Sequence, residues 1–157
     1  TGLLNLRSFL SRLHETLLLA KRHQTPVSIA VVNIDHFTEV NESHGHEEGD
    51  RIIRQLGKIM RDSLRGEDLV ARSGGDEFCI LMRHVTPEHG RNGINRYKND
   101  LTAAKLVTSA GVQLNLTVTA GLSTLSNVDE GADQLLEVAR ERVQQGKVSG
   151  GNCVVLT

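Results

Sequence analysis

Two adjacent acidic residues, Asp76 and Glu77, follow a glycine pair in the sequence Gly-Gly-Asp-Glu at positions 74–77. Glycine reaches positive φ at little cost, so the pair predicts a tight turn, and the apolar runs 69–71 and 78–82 on either side are typical of hairpin strands. Carboxylates held at a rigid turn can bind a divalent cation beside a phosphate. A solvated acidic turn without a ligand is the alternative, and these four residues alone favour it.

A second polar group is expected at the end of a neighbouring strand. Period-two alternation along the predicted strand 27–35 puts Asn33 and Asp35 on one face, at the carboxyl end where α/β folds commonly bind ligands. The chain then passes through a series of polar and glycine positions before it reaches the acidic turn: Asn41, Gly45, His46, Gly49, Asp50, Arg65, Gly66, Glu67 and Asp68. The ordered set is far more specific than any single member of it.

In this order and spacing the motifs resemble the GGDEF family of bacterial diguanylate cyclases. The resemblance extends from residues 1–5 to Gly150-Gly151-Asn152, which is essentially the whole chain. Enzymes of that family join two GTP molecules into cyclic di-GMP and release two pyrophosphates, with one GTP held by each domain of a dimer. The resemblance therefore implies a homodimeric enzyme that depends on Mg²⁺ or Mn²⁺ and binds GTP and cyclic di-GMP.

The resemblance also implies roles for the acidic turn and the strand end. Asp76 and Glu77 would be the catalytic residues. Asp76 would bind the metal together with the backbone carbonyl of Ile34 and with Asn33, which occupies the place of a metal-binding Asp. Hard oxygen ligands of this kind are the ones that Mg²⁺ prefers.

Substrate and product contacts follow from the same resemblance. Asn41 and Asp50 match residues that hydrogen-bond guanine, and their amide and carboxylate suit the donor and acceptor pattern of that base. Arg65 and Asp68 match a product-inhibitory site, in which the arginine grips cyclic di-GMP and the carboxylate accepts from its base. A surface ion pair of little energetic value is the alternative for these two residues. The phosphate-binding positions would be His36, Phe37, Thr38 and Lys147.

Several positions depart from the family pattern. Asn33 brings no negative charge, Thr38 stands where the family often has Lys, and Gly151 stands where it has a phosphate-binding Arg. Arg140 in place of an Asp and Gln144 in place of a Tyr are expected to alter packing outside the site. The cluster of His44, His46, Glu47 and Glu48 has no recognised zinc spacing, so a transition-metal site is disfavoured.

Two functions therefore stay open, together with a weaker third. The first is a diguanylate cyclase, with reduced activity as one form of it. The second is a catalytically impaired regulatory module that binds GTP or cyclic di-GMP and controls an attached domain. A purely structural dimerisation unit is the third, but it leaves the arrangement of site residues unexplained.

Composition restricts the class of protein further. A chain of 157 residues with 38% hydrophobic residues is expected to form one domain, residues 1–157, which we expect to be excised from a longer signalling protein with sensor or output domains. A formal net charge of −1 argues against binding of nucleic acid and against direct contact with a membrane. The two cysteines lie in apolar runs and predict free thiols in the cytoplasm, although a longer parent chain could still be tethered to a membrane.

Periodicity predicts the elements that must position these residues. Apolar residues that recur every three or four positions predict helices. Alternating apolar and polar residues, or short apolar runs, predict strands. The order suggests a mostly antiparallel central sheet covered by helices, and the resemblance implies a ferredoxin-like, nucleotidyl-cyclase type of βαββαβ core. The predicted helices are 6–22, 37–43, 48–64, 87 to about 109, and 131–145, and the predicted strands are 27–34, 69–71, 78–82, 112–122 and 153–156.

Overall fold

The computed structural model describes residues 3–156. Within that range none of the helices has the length and hydropathy needed to span a bilayer. The predicted order of helices and strands is confirmed. In chain order the elements are α1 (Leu6–His23), β1 (Val27–Ile34), α2 (Phe37–His44), α3 (His46–Ser63), β2 (Leu69–Arg72), β3 (Glu77–Arg83), α4 (Pro87–Ala103), β4 (Val118–Thr124), α5 (Ala132–Val148) and β5 (Val154–Val155).

The five strands form one sheet in the order β2-β3-β1-β4-β5. The pairs β2/β3, β3/β1 and β1/β4 are antiparallel, and the short β5 adds to β4 in parallel. Strand β1 is therefore central, with Asn33 opposite Glu77 on one side and opposite Thr119 on the other. This arrangement confirms the predicted ferredoxin-like βαββαβ core and its mostly antiparallel sheet covered by helices.

Alternate residues of β1 enter two apolar cores on opposite faces of the sheet. Val32 and Ile34 belong to the core that includes residues of α3 and α4, whereas Val31 belongs to the core with α1 and α5. Asn33 and Asp35 continue the second of these faces, because side chains alternate along a strand. The polar end of β1 consequently lies on the side of the sheet that α5 covers.

Helix α5 approaches β4 very closely at one point. A Cβ atom added to Gly121 of β4 would lie 2.1 Å from the backbone oxygen of Ala139 in α5. Only glycine permits this approach, because the obstacle is backbone and not a movable side chain. The contact fixes the height of α5 above the sheet directly beside the next residue, Arg140.

The segment between α4 and β4 differs from the sequence prediction. The helix predicted to reach about Ser109 ends at Ala103, and the strand predicted from Val112 begins at Val118, so both bounds are wrong. Lys105 adopts a positive φ of 50°, which no helix continues through. Gly111 turns the chain back with a φ of 84°.

Backbone and side-chain contacts hold this segment as a short folded arm. The N–H of Thr108 donates to the oxygen of Val112, and the N–H of Leu114 donates to the oxygen of Leu106, both at 2.8 Å. The Glu48 carboxylate of α3 accepts from Ser109, at 2.9 Å from both its backbone nitrogen and its hydroxyl. Residues 106–114, the arm, therefore take their hydrogen-bond partners from within the arm and from α3 in place of the sheet.

Candidate functional site

The end of β1 and the start of β3 bring four of the expected site residues together. Asn33 lies opposite Glu77 in the ladder, and the Ile34 N–H donates to the backbone oxygen of Asp76 at 3.1 Å. The Asn33 amide nitrogen lies 3.4 Å from that same oxygen. Its amide oxygen, the Ile34 carbonyl and the Asp76 carboxylate are the hard donors at this point.

Arg72 fixes the turn that carries the two acids. Its guanidinium donates to the carbonyls of Gly74 and Gly75, at 3.1 and 2.7 Å, and lies 3.5 Å from the Asp50 carboxylate. Arg72 thus links the hairpin turn to helix α3. Sequence analysis assigned no role to this residue, and its position beside the Gly-Gly turn was the available signal.

The two residues expected to bind guanine lie close together. Asn41 of α2 packs against Gly49 of α3 so closely that a Cβ on Gly49 would be 1.8 Å from the Asn41 amide oxygen. Asp50 is the next residue along α3, and its side chain is 57% exposed. An amide and an accessible carboxylate therefore lie near the point where α2 and α3 meet.

Asp35 is buried and is surrounded by donors. Its carboxylate accepts from the hydroxyls of Thr117 and Thr119 at 2.7 and 2.6 Å and from the Asn152 N–H at 2.9 Å, and the Lys147 ammonium lies 3.3 Å away. Burial alone raises the pKa of Asp35, but these hydrogen bonds and the lysine charge outweigh it, so the pKa lies below its usual value. Lys147, expected to bind phosphate, is already paired with a protein carboxylate.

The other positions expected to bind phosphate lie at the start of α2. His36 precedes the helix with a φ of 58° and carries an exposed ring, Phe37 is buried, and Thr38 is exposed. Gly151 approaches the same region, since a Cβ there would be 3.2 Å from the Asp35 carboxylate. Its φ of 75° is one that side chains rarely adopt, so an arginine at 151 would be strained in this conformation.

Arg140 of α5 lies in the site, so the expectation that it affects only packing elsewhere is wrong. Its Nη2 is 3.0 Å from the Glu77 carboxylate, and the hydrogen bonds that Arg140 donates to Glu77 raise the pKa of Arg140. Gln144 is also misassigned by the sequence, because it lines a groove between the end of the sheet and α5 together with Asn33, Glu77 and Arg140. The register of α5 over the sheet brings both residues there, and a helical pattern does not reveal that register.

Arg65 and Asp68 lie in one turn, but their side chains differ in exposure. The Arg65 side chain is 47% exposed and pairs with Glu67. Asp68 is buried and accepts from the Arg65 N–H at 3.0 Å, and its other oxygen has no partner among residues 3–156. Burial raises the pKa of Asp68 more than the nearby arginine charges lower it. Asp68 therefore holds the turn, and Arg65 is the accessible member.

The comparisons with known proteins settle the family. The family model described as "Diguanylate cyclase, GGDEF domain" matches residues 1–153. The chain belongs to this family. It is 30% identical over 156 residues to diguanylate cyclase DosC of Escherichia coli K12, covering 99% of this chain and 34% of DosC. The chain thus spans about a third of that relative's length.

Solved structures agree with the GGDEF family. Diguanylate cyclase SiaD of Pseudomonas aeruginosa, solved in complex with its activator SiaC, has a TM-score of 0.93 at 28% identity, covering all of this chain and 60% of that one. A microbial GGDEF domain studied for its interaction with cyclic di-GMP has a TM-score of 0.81 at 26% identity, covering 98% of this chain and 90% of that one.

The donor set of this GGDEF domain fits one divalent cation better than two. Among residues 3–156 no three His, Cys, Asp or Glu side chains form a cluster that could hold a metal. The Asp76 backbone lies next to Asn33 and Ile34, so the Asp76 carboxylate, the Asn33 amide oxygen and the Ile34 carbonyl are the hard oxygens that could hold a divalent cation. Glu77 is already held by Arg140.

We expect replacement of Asp35 by Asn to destabilise the domain in a pH-dependent way. The lowered pKa of Asp35 means that its contribution is full above about pH 3.8 and is lost as the pH falls through the folded value. Asp35→Asn should therefore lower the free energy of unfolding by about 1–3 kcal/mol at pH 7 and by progressively less below pH 4.

Urea unfolding followed by circular dichroism at pH 7, 4 and 3 measures this difference. Asp62→Asn is the matched control, because Asp62 is exposed on α3. A destabilisation by Asp35→Asn that is equally large at pH 7 and pH 3 would contradict the network described for Asp35.

Proposed function

We propose that this chain is the diguanylate cyclase domain of a longer signalling protein, and that it joins two GTP molecules into cyclic di-GMP with release of two pyrophosphates. The observation that carries the proposal is the link made by Arg72 between Asp50 and the Gly-Gly-Asp-Glu turn. Through it, the residues suited to guanine and the residues suited to phosphate chemistry belong to one site. Family membership over residues 1–153 supports the same function.

Each half of the reaction forms one phosphodiester bond and breaks one phosphoanhydride bond. The 3′-hydroxyl of one GTP attacks the α-phosphorus of the other, and pyrophosphate leaves. Asn41 and Asp50 would orient the guanine. The backbone amides at 36–38 would donate hydrogen bonds to phosphate oxygens at the start of α2. The protein mainly needs to align the two nucleotides, because phosphoryl transfer requires little covalent help.

Diguanylate cyclases of this family are metal-dependent. We propose Mg²⁺ or Mn²⁺ for this chain, held by Asp76, the Asn33 amide oxygen and the Ile34 carbonyl. When bound, such a cation would neutralise the negative charge of the phosphates. Glu77 would contribute to catalysis through its ion pair with Arg140. Glu77 and Asn33 line the same groove.

The surroundings of the domain are also part of the proposal. Two GTP molecules must meet, so we propose that two copies of the chain face each other as a homodimer. Sensor or output domains on the same polypeptide would control that encounter, and the greater length of DosC supports this. We place the domain in the cytoplasm, and we propose no nucleic-acid or direct membrane contact for it.

A second candidate function is a regulatory module that binds GTP or cyclic di-GMP without turnover. One observation favours it specifically: Asn33 is neutral, and the Glu77 carboxylate opposite it is occupied by Arg140. In that case the guanine-binding residues would still recognise nucleotide, and an attached domain would respond to it.

Incubation with GTP and either Mg²⁺ or Mn²⁺ tests the proposed enzyme directly. We expect cyclic di-GMP and pyrophosphate to form in the wild type and to fall at least a hundredfold in Asp76→Ala, because that variant lacks the carboxylate at the cation site. Chromatography of the nucleotides measures both products. A wild type that binds GTP but forms no cyclic di-GMP with either ion would contradict the cyclase and favour the regulatory module.

Replacement of Gly49 by Ala tests the guanine site. The added Cβ would displace the Asn41 amide and remove about one hydrogen bond to the base, which corresponds to roughly 1 kcal/mol or fivefold in Kd for GTP. Calorimetric titration with GTP and with ATP measures the loss of affinity and the loss of preference for guanine.

Gly93→Ala is the matched control, because it places the same methyl group in helix α4, 3.9 Å from the nearest side chain of Leu64. It should leave GTP affinity unchanged. An equal loss of GTP affinity in Gly49→Ala and Gly93→Ala would contradict the assignment of a guanine site. A wild type that does not prefer GTP to ATP would contradict it as well.

Replacement of Arg65 by Ala tests the product-inhibitory site. We propose that exposed Arg65 contacts cyclic di-GMP and that buried Asp68 holds the turn on which Arg65 stands. Loss of one charge-assisted contact should weaken cyclic di-GMP binding at least tenfold while leaving GTP affinity nearly unchanged. Arg12→Ala on α1 is the control for loss of an exposed arginine. Unchanged product affinity in Arg65→Ala would mean that Arg65 is only part of a surface ion pair.

A further inference from the structure

A groove of about 460 Å³ lies between the end of the sheet and helix α5. Three carboxylates and one guanidinium line it, together with two amides. The side chains in question are Asn33, Glu77, Glu137, Arg140, Glu141 and Gln144. Arg140 is therefore the single cationic side chain among the residues that line this groove.

Arg140 and Ser73 together occupy the Glu77 carboxylate. The Arg140 Nη2 and Nε atoms lie 3.0 and 3.3 Å from Glu77 Oε1, and the Nε lies 3.5 Å from Oε2. The Ser73 hydroxyl donates to the same Oε1 at 2.6 Å. The Glu77 side chain is only 23% exposed, so few directions remain from which another ligand could reach it.

The Glu77–Arg140 pair is electrically neutral without a bound ion, whereas Glu137 and Glu141 leave the groove as a whole negative. Asn33, directly opposite Glu77 in the ladder, carries no charge, so Glu77 brings one negative charge and Arg140 one positive charge. A guanidinium stays charged at every pH at which proteins fold, and the Glu77 hydrogen bonds raise the pKa of Arg140 further. A divalent ion approaching Glu77 would meet a fixed like charge.

We propose that Arg140 is a built-in cation that takes the place of a bound metal ion at Glu77, so that this domain holds a divalent ion only at the Asp76 side of the site. The proposal deepens the proposed function and rests on it for the presence of a metal at Asp76. Exposed ion pairs generally contribute little to stability, and Arg140 is 47% exposed. The role of this pair is accordingly to exclude a cation and not to stabilise the fold.

The neutral residue and the arginine are expected to act together. Asn33→Asp alone would add a carboxylate to the groove that Arg140 also lines, so the arginine would neutralise part of the added charge. Arg140→Ala alone would free Glu77 but leave it facing a neutral amide. The double variant would present two carboxylates with no arginine partner on opposite residues of the ladder, which is the arrangement that attracts a divalent ion.

Titration with Mn²⁺ in the absence of nucleotide, followed by the electron paramagnetic resonance signal of the free ion, tests the proposal without relying on turnover. We expect Arg140→Ala to bind Mn²⁺ about tenfold more tightly than the wild type. For the double variant Asn33→Asp with Arg140→Ala, we expect a fold-gain in Mn²⁺ affinity larger than the product of the fold-gains of the two single variants. Arg140→Lys should stay close to the wild type, because it keeps the charge. Arg54→Ala, which removes an exposed arginine from α3, controls for net charge.

The outcomes separate this inference from the proposed function. Equal Mn²⁺ affinity in the wild type and Arg140→Ala, or equal gains in Arg140→Ala and Arg54→Ala, would overturn it. A double variant that binds Mn²⁺ no more tightly than the wild type would also overturn it. Circular dichroism would show that all variants are folded. A wild type that makes no cyclic di-GMP would count against the cyclase, while the Mn²⁺ affinities would still decide the role of Arg140.

Discussion

A buried carboxylate, Asp35, is the constraint on which the geometry of the site depends. Removing a charge from water costs several kcal/mol unless donors surround it, and Asp35 is only 5% exposed. Its donors come from β4, from the end of α5 and from the turn after it, through Thr119, Lys147 and Asn152. The chain therefore folds with these segments gathered around the end of β1, which is where the expected metal and phosphate residues begin.

The same constraint sets where the cations of α5 lie. Arg140 and Lys147 are seven residues apart, which is two turns of helix, so they share one face. Lys147 meets Asp35 while Arg140 meets Glu77, and Gly121 holds the helix backbone close enough for both contacts. Each cation of this face is paired with an acid of the protein. Consequently, less positive charge is left for triphosphate than the family pattern would provide.

Sequence reasoning succeeded where local periodicity decides the structure. Apolar spacing predicted the helices, and alternation along β1 predicted that Asn33 and Asp35 share a face. It failed where the result depends on contacts between distant segments. The positive φ of Lys105, which ends the continuation of α4, has no glycine to signal it. Nor does a helical pattern tell which residue of α5 stands over Glu77, because the close approach of Gly121 to Ala139 fixes that register.

Nucleotide recognition and charge at the acidic turn depend on different parts of this framework. Asn41 and Asp50 are positioned by the contact of α2 with α3 at Gly49, while Glu77 and Asn33 are positioned by the β1/β3 ladder. Arg72 is the direct link between the two, and it contacts backbone carbonyls of the turn, not the acidic side chains. Substitutions that change the charge at Asn33 or Arg140 can thus alter the acidic turn while the residues expected to bind guanine keep their places. The proposed cyclase and the alternative nucleotide-sensing module would therefore differ at very few residues of the same framework.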